Sequence, residues 1–392
     1  MSDLVSGPLE STLSSFSEIN LLPTQVLSNL HPTVTPGDEF RTHPIQSAGN
    51  TTTGEPVPVI THKAYYHGPP HHGSAPLGHQ PDNGCHITWI RQEWRTLTNK
   101  QKHDYLNAVK CLQSKPANTS FAAVRTHFDD FQALHINLTK SIHLVGHFLP
   151  WHRRFVQVYE TALREECGYQ GSQPYWDWSL DADDIMASPV FSPDTGFGGN
   201  GVDGTYTDLY GTDSSPPTNH TSGWGGGCVL DGPFSSYRLA LGPGQRINDH
   251  CIVRNINQTF SQFITYAQVA NTTRQPTFEL FRIELEGKGV TPTHKIHDGG
   301  HFAVGGEMGN LYSSPGDPLF FLHHGNLDRI WWEWQKADFS NRLYQISGRT
   351  SINPPFVNVT LDFPMKMLEL APDIPARDVM DIRSIPLCYN YK

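Results

Sequence analysis

The sequence predicts a mainly α-helical fold: four core helices, antiparallel in pairs, wrapped by long irregular loops and a few short strands. Two observations carry this. Apolar residues recur at three- and four-residue steps through several separate segments, the spacing of one buried helix face. Between those segments the chain is rich in breakers, with 34 glycines and 30 prolines in 392 residues. Only 17% of residues are charged, which suits a loop-rich globular protein and neither a coiled coil nor a disordered acidic chain. The length allows one large domain or two.

The elements follow in order. Residues 1–84 have little periodic apolar pattern and end in a His-, Pro- and Gly-rich stretch, so they read as an extended N-terminal arm lying on the domain formed by residues 85–392. From Trp89 the pattern changes. Trp94, Leu97, Tyr105, Leu106, Val109 and Leu112 have the spacing of an amphipathic helix pair. Helical spacing continues from Phe121 to Glu166, is interrupted at Pro150, and stops at Gly168. Residues 179–250 are dominated by Gly, Ser, Pro, Asp and Thr and form a long irregular insertion. Helical spacing returns at Phe260–Ala270, Phe278–Leu285 and Asp317–Gln335, with Asp317 placed as an N-cap and Pro318 in the first turn.

A net charge of −10 with no long basic run gives no footprint for phosphate backbones, so nucleic acid is not an expected partner. No stretch approaches the ~20 apolar residues of a membrane helix, and no membrane is expected as a partner either. Met1-Ser2-Asp3 lacks the basic start and apolar core of a signal peptide. Other features point outward. Seven Asn-x-Ser/Thr sequons begin at Asn50, Asn118, Asn137, Asn219, Asn257, Asn271 and Asn358. Six cysteines, with no Cys-x-x-Cys pair, suit disulfides better than a thiolate metal site; fifteen complete pairings are open. The expectation is a secreted glycoprotein whose signal peptide is absent from this sequence.

The chemistry is in the histidines. His297 and His301 stand four apart in His294–His301, so in a helix both imidazoles face one side within reach of a single ion. The adjacent His323 and His324 point about 100° apart on a helix and do not easily serve one site; spacing alone leaves open which of them ligates. Asp328, four after His324, lies on that histidine's face, where it can orient the site. A third region carries His135, His143, His147 and His152. No carboxylate accompanies these histidines as a di-iron Glu-x-x-His bundle requires. Ligation by imidazole alone suits copper, and zinc less exclusively.

The stretch from His143-Leu144-Val145-Gly146-His147 to Trp151-His152-Arg153 resembles the first copper signature of the tyrosinases and catechol oxidases, the type-3 copper proteins, and Asp317–Asp328 resembles their second. Arg91–Leu97, Pro174-Tyr175-Trp176-Asp177-Trp178 and Tyr389-Asn390-Tyr391 resemble accessory segments of the same family, the last closing the catalytic domain in fungal members. The likeness runs from about residue 85 to the end and implies a short fungal-type form without the C-terminal lid domain. It implies a helical core holding two copper ions, one bound by His135, His143 and His152, the other by His297, His301 and His324, with His147, His294 and His323 as bystanders. Gly305-Gly306-Glu307-Met308 sits in the family's frame after the second ligand of the latter copper. Dioxygen is the implied co-substrate, and small phenols are the implied partners. The implied activity is oxidation of o-diphenols to o-quinones with reduction of dioxygen to water, monophenols and o-aminophenols being open as further substrates. Glu286 resembles a glutamate that holds a water near the substrate, Asp298 a position that influences attack on monophenols, and Leu311 a gate over the pocket. Ser141 replaces a cysteine that many fungal relatives link to a histidine, so that crosslink is not expected. Two other readings are a hemocyanin-like oxygen carrier and, more weakly, a zinc hydrolase.

Overall fold

A computed structural model describes residues 84–206 and 226–392. The expected arm, apart from Gly84, and the sequons at Asn50 and Asn219 lie outside the described residues. The helices are α1 (Asn99–Leu112), α2 (His127–Ile142), α3 (Phe148–Cys167), α4 (Tyr266–Thr273), α5 (Phe278–Glu286), α6 (Ile296–Val304), α7 (Leu319–Ala337) and the single turn α8 (Phe339–Arg342). The fold is mainly helical as expected, with α2, α3, α6 and α7 at its centre.

Local chemistry sets the ends of the long helices. Thr98 and Thr126 each cap a helix by accepting from the backbone three residues on, and Gln101 and Asp129 return a bond to the cap. Gly168 ends α3 in the left-handed conformation at φ 67°. Pro150 does not break the helix where the spacing suggested. It lies in the first turn of α3, where its missing N–H costs nothing, and the real break is residues 143–147. Asp317 works one residue earlier than expected: its carboxylate accepts from Leu319 N at 3.0 Å while pairing with the buried Arg254. From Leu319 to Asp328 every residue of α7 is buried, the signature of a helix enclosed on all sides.

Three expectations are corrected. The helix pair from Trp89 to Leu112 is one helix preceded by the strand Trp89–Arg91 and a 3₁₀ turn at Trp94–Thr96. The strand pairs in parallel with Tyr389–Tyr391, a partner some 300 residues away that local spacing cannot reveal. The segment Phe260–Ala270 is split into a 3₁₀ turn, Gln258–Phe263, and α4, because Thr265 caps the second piece. Residues 179–250 contain short strands, among them Arg238–Leu241 paired with Ile247–Cys251, that are too short to show alternation in sequence. All six cysteines are paired: Cys85–Cys388, Cys111–Cys167 and Cys228–Cys251. The second ties the end of α1 to the end of α3. No described helix is long and apolar enough to cross a membrane.

The core is aromatic. Tyr159 of α3 stacks on Phe321 of α7 at 3.5 Å, with Phe131 of α2 edge-on to Tyr159 at 5.2 Å. Behind it lies a buried ionic knot centred on Asp328. This carboxylate accepts from Arg153 Nε, from Arg91 Nη1 (3.3 Å) and from the hydroxyls of Tyr389 and Tyr391 (2.5 Å each). Arg91 also holds Glu160, and it is fully buried. The knot joins the first described strand, α3, α7 and the chain's last strand. Asp328→Asn removes the charge that two buried guanidiniums share and is expected to cost about 3 kcal/mol; calorimetric melting checks this, and an unchanged melting temperature contradicts it.

Candidate metal centre

The core helices bring the histidines into two facing groups. His135 comes from the third turn of α2, His152 from the second turn of α3, and His143 from the extended residue that ends α2 (φ −116°, ψ 152°). Their ring centroids lie 5.1 to 5.8 Å apart. His297 and His301 project from α6 with rings 4.8 Å apart, and His324 of α7 lies 5.5 and 5.4 Å from them. Within each group, one potential ligand atom per residue lies within 4.8 Å of every other. The groups touch across the bundle: His152 stacks on His324 at 4.5 Å, and His143 faces His297 at 6.2 Å.

Backbone carbonyls decide the tautomers. Nδ1 of His135 lies 2.8 Å from Tyr312 O, that of His143 2.9 Å from Thr139 O, and that of His152 2.9 Å from Phe148 O. Likewise His297 reaches Glu286 O at 2.9 Å and His301 reaches Met308 O at 2.8 Å. A carbonyl only accepts, so each Nδ1 carries the proton and each Nε2 presents a lone pair. The Nε2 atoms of His135, His152 and His297 are buried and bonded to nothing among the described residues, and that of His301 faces Nε2 of His324 at 3.3 Å. Burial, and then the neighbouring histidines, hold these rings far below their usual pKa; His143 falls to about 4 through burial. Buried, convergent, neutral nitrogens with no acid proton to give are a poor structural core and a good metal site. Among the described residues no carboxylate joins either group, and that donor set fits copper.

The remaining histidines are differently employed. His323 belongs to the second group by distance, yet its Nδ1 accepts from Trp178 Nε1 at 3.1 Å, so that nitrogen is already used. Its ring packs 4.5 Å from that of His301. A side chain at Gly300 would place Cβ 2.4 Å from His323 Cε1, so the Gly-Gly between His297 and His301, poor helix material in itself, makes room for this ring. His147 bonds Ser141 O at 2.7 Å and steadies the connection between α2 and α3. His294 lies outside α6, which starts at Ile296 rather than at His294.

Residues 125–337 match the common central domain of tyrosinase. The chain is 36% identical over 345 residues to N-acetyl-6-hydroxytryptophan oxidase ivoB of Emericella nidulans, covering 77% of this chain and 92% of that one. It is 34% identical over 351 residues to tyrosinase P of Aspergillus terreus (80% and 95% covered). The structure matches a polyphenol oxidase mutant of Thermothelomyces thermophila with a TM-score of 0.69 at 35% identity, over 78% of this chain and 89% of that one. The chain belongs to the tyrosinase family. It is a tyrosinase-family oxidase, and its histidine groups fit the two coppers that define the type-3 centre of that family.

Around this tyrosinase-family centre, Glu286 is buried rather than on the surface, and it ties the two groups together. Its main-chain carbonyl holds His297; its carboxylate accepts from Leu144 N, next to His143, and from Arg282 Nη1 at 2.7 Å. Burial raises its pKa to about 7 against the opposing pull of Arg282. Asp298 is likewise committed inside the fold. It accepts from Lys295 N (2.7 Å), Lys288 N (2.9 Å) and His294 Nδ1 (2.5 Å), which clasps the start of α6 to the preceding loop. Leu311 is 51% exposed on the loop before α7, next to the Tyr312 carbonyl that holds His135. Ser141 bonds Leu138 O, and no cysteine is free for a crosslink. A metal-binding imidazole is expected to donate its other N–H to a carbonyl or carboxylate, and five do; which carbonyls serve, and the Trp178–His323 bond, leave no mark on side-chain spacing.

Two outcomes follow. Gly300→Ala forces Cβ into His323 and is expected to cost about 1–3 kcal/mol and to lower the copper bound per chain; melting and metal analysis check it. Because the pKa of Glu286 is raised on folding, its contribution to stability is full below its ordinary pKa near 4.5 and is lost as pH rises through about 7. In denaturant titrations of copper-free protein, Glu286→Gln is expected to flatten that decline.

Proposed function

We propose that this protein is a phenol oxidase that converts o-diphenols to o-quinones while dioxygen is reduced to water. One copper is held by Nε2 of His135, His143 and His152, the other by Nε2 of His297, His301 and His324. The observation that carries the reading is the convergence of neutral, proton-free ring nitrogens in two facing groups. When bound, the copper pair supplies the two-electron exchange between phenol and dioxygen that these side chains do not perform themselves.

The chain's own residues contribute orientation and charge. Neutral ligands leave the positive charge of the ions unopposed, so a phenolate oxygen is stabilised close to them. Five carbonyls fix the ring planes before any ligand arrives, which limits the reorganisation needed on binding. Glu286 acts as a positioning residue for His143 and His297, Asp298 as one for the start of α6, and Leu311 guards the rim. The named substrates of relatives agree with this: one is an oxidase of a hydroxylated tryptophan, another a polyphenol oxidase. Three disulfides and five exposed sequons, at Asn118, Asn137, Asn257, Asn271 and Asn358, support a secreted glycoprotein.

Copper-loaded protein given catechol and air is expected to develop quinone absorbance, and a monophenol run beside it separates a tyrosinase, which reacts after a lag, from a catechol oxidase, which does not react. His152→Ala and His324→Ala are each expected to lower the copper bound from two ions per chain and to abolish turnover. Full copper loading without turnover points instead to an oxygen carrier, and full loading in both variants sinks the ligand assignment.

A further inference from the structure

The segment that follows α8 is pressed against the connection carrying His143. Gly146 N donates to Arg349 O at 2.8 Å, Val359 N to Gly348 O at 2.8 Å, and Thr350 N to Val357 O at 2.8 Å. Gly146 accommodates this approach because a Cβ there would meet Ser347 O at 2.4 Å. From this held segment, Arg349 Nε donates to Leu144 O at 2.9 Å, on the residue next to His143. Leu144 is therefore held from both sides, its N–H by Glu286 and its carbonyl by Arg349.

The rest of the guanidinium is free. Among the described residues no carboxylate pairs with Arg349, and its two terminal nitrogens bond no protein atom. Two acids of this neighbourhood are already engaged: Glu286 by Leu144 N and Arg282, and Glu279 by Arg282 and Ser347 Oγ. The guanidinium carbon lies 5.7 Å from the centre of the Phe356 ring, and Phe356 and Val357 are each 56% exposed. A partly buried cation beside an exposed aromatic face thus stands against the residue that follows His143. Of the histidines assigned to copper, His301 (9%), His143 (5%) and His297 (5%) are the least buried, whereas His135 is sealed.

We propose that Arg349, with the face of Phe356, binds a carboxylate carried on the side chain of the phenolic substrate, so that the enzyme prefers aromatic acids to neutral catechols. The inference rests on the phenol oxidase reading above. A phenol whose hydroxyls reach the histidine groups directs its opposite substituent outward to the rim. There the two free nitrogens form the planar fork that a carboxylate accepts in a bidentate pair, and the Phe356 ring covers the guanidinium face.

The experiment compares dihydrocaffeate with its neutral methyl ester, which keeps the ring chemistry constant, on copper-loaded full-length protein, Arg349→Gln and Arg349→Lys. The expected result is a KM for the acid lower than for the ester in the parent. Arg349→Gln should shift that ratio by about tenfold toward the ester, Arg349→Lys should restore part of it, and added salt should erode the preference in the parent but not in the glutamine variant. If Arg349→Gln moves both KM values by one factor, or leaves the ratio unmoved, the residue merely supports the loop and the proposal is overturned. If neither compound is oxidised, the oxidase reading is what fails. Anaerobic calorimetric titration with dihydrocaffeate then decides about Arg349 separately: weaker binding in the glutamine variant supports it, and equal binding overturns it.

Discussion

Five histidine rings at the centre of this fold each hand one proton to a carbonyl oxygen, and a carbonyl has no proton to give back. Each ring is thereby fixed in plane and tautomer, and its other nitrogen is left as an acceptor; in His135, His152 and His297 that nitrogen is buried and bonded to no described protein atom. The rest of the structure is arranged around supplying those carbonyls. Thr139 and Phe148 come from the helices that carry the rings themselves, four residues earlier in each case. Glu286 comes from the end of α5, and Met308 and Tyr312 from the loop between α6 and α7. That loop cannot be floppy if it is to hold a ring from each group, and Glu307, buried against His250, anchors it beside Met308.

Much of this centre is legible in the sequence because metal ligation needs rare residues at helical spacing. His297 and His301 read as a pair, and the two long signatures place the others. What spacing could not settle was the choice between His323 and His324. In the structure the two differ in their partners: Trp178, from a segment some 145 residues earlier, donates to His323 Nδ1, whereas Nε2 of His324 faces that of His301. The same limit explains the misread start of the domain, since Trp89–Arg91 becomes a strand only because Tyr389–Tyr391 lies beside it. Helix ends were readable to about a residue, as at Gly168 and Asp317, because caps act locally. The strands of the long insertion were not, because a two- to five-residue strand has no period to detect.

Glu286 shows how a role inferred from spacing changes when the geometry is known. The family resemblance gives it the part of holding a water near the substrate. In the structure, its backbone carbonyl holds His297 and its side chain holds the residue next to His143, one in each histidine group. Its carboxylate is nearly covered and pairs with Arg282, which Glu279 shares. A carboxylate so placed favours its neutral form, and the raised pKa is the electrostatic sign of a residue held for position against its own solvation.

The centre also contradicts the local rules that build the rest of the molecule. Two glycines sit in the middle of α6, where each costs on the order of 1 kcal/mol relative to alanine, and a run of buried polar groups, His323, His324, Asn326 and Asp328, occupies the inner part of α7. Neither feature helps a helix form. Gly300 is needed because the ring of His323 occupies the space a methyl group would fill, and Gly299 because Phe263 Cβ would lie 2.6 Å away. The polar run is tolerated because Asp328 is bonded by two arginines and two tyrosines, and because Phe320, Phe321 and Leu322 fill the turns beside it. Stability is thus drawn from the aromatic core and the ionic knot, which lets a cluster of buried, neutral imidazoles persist at the centre of the helices.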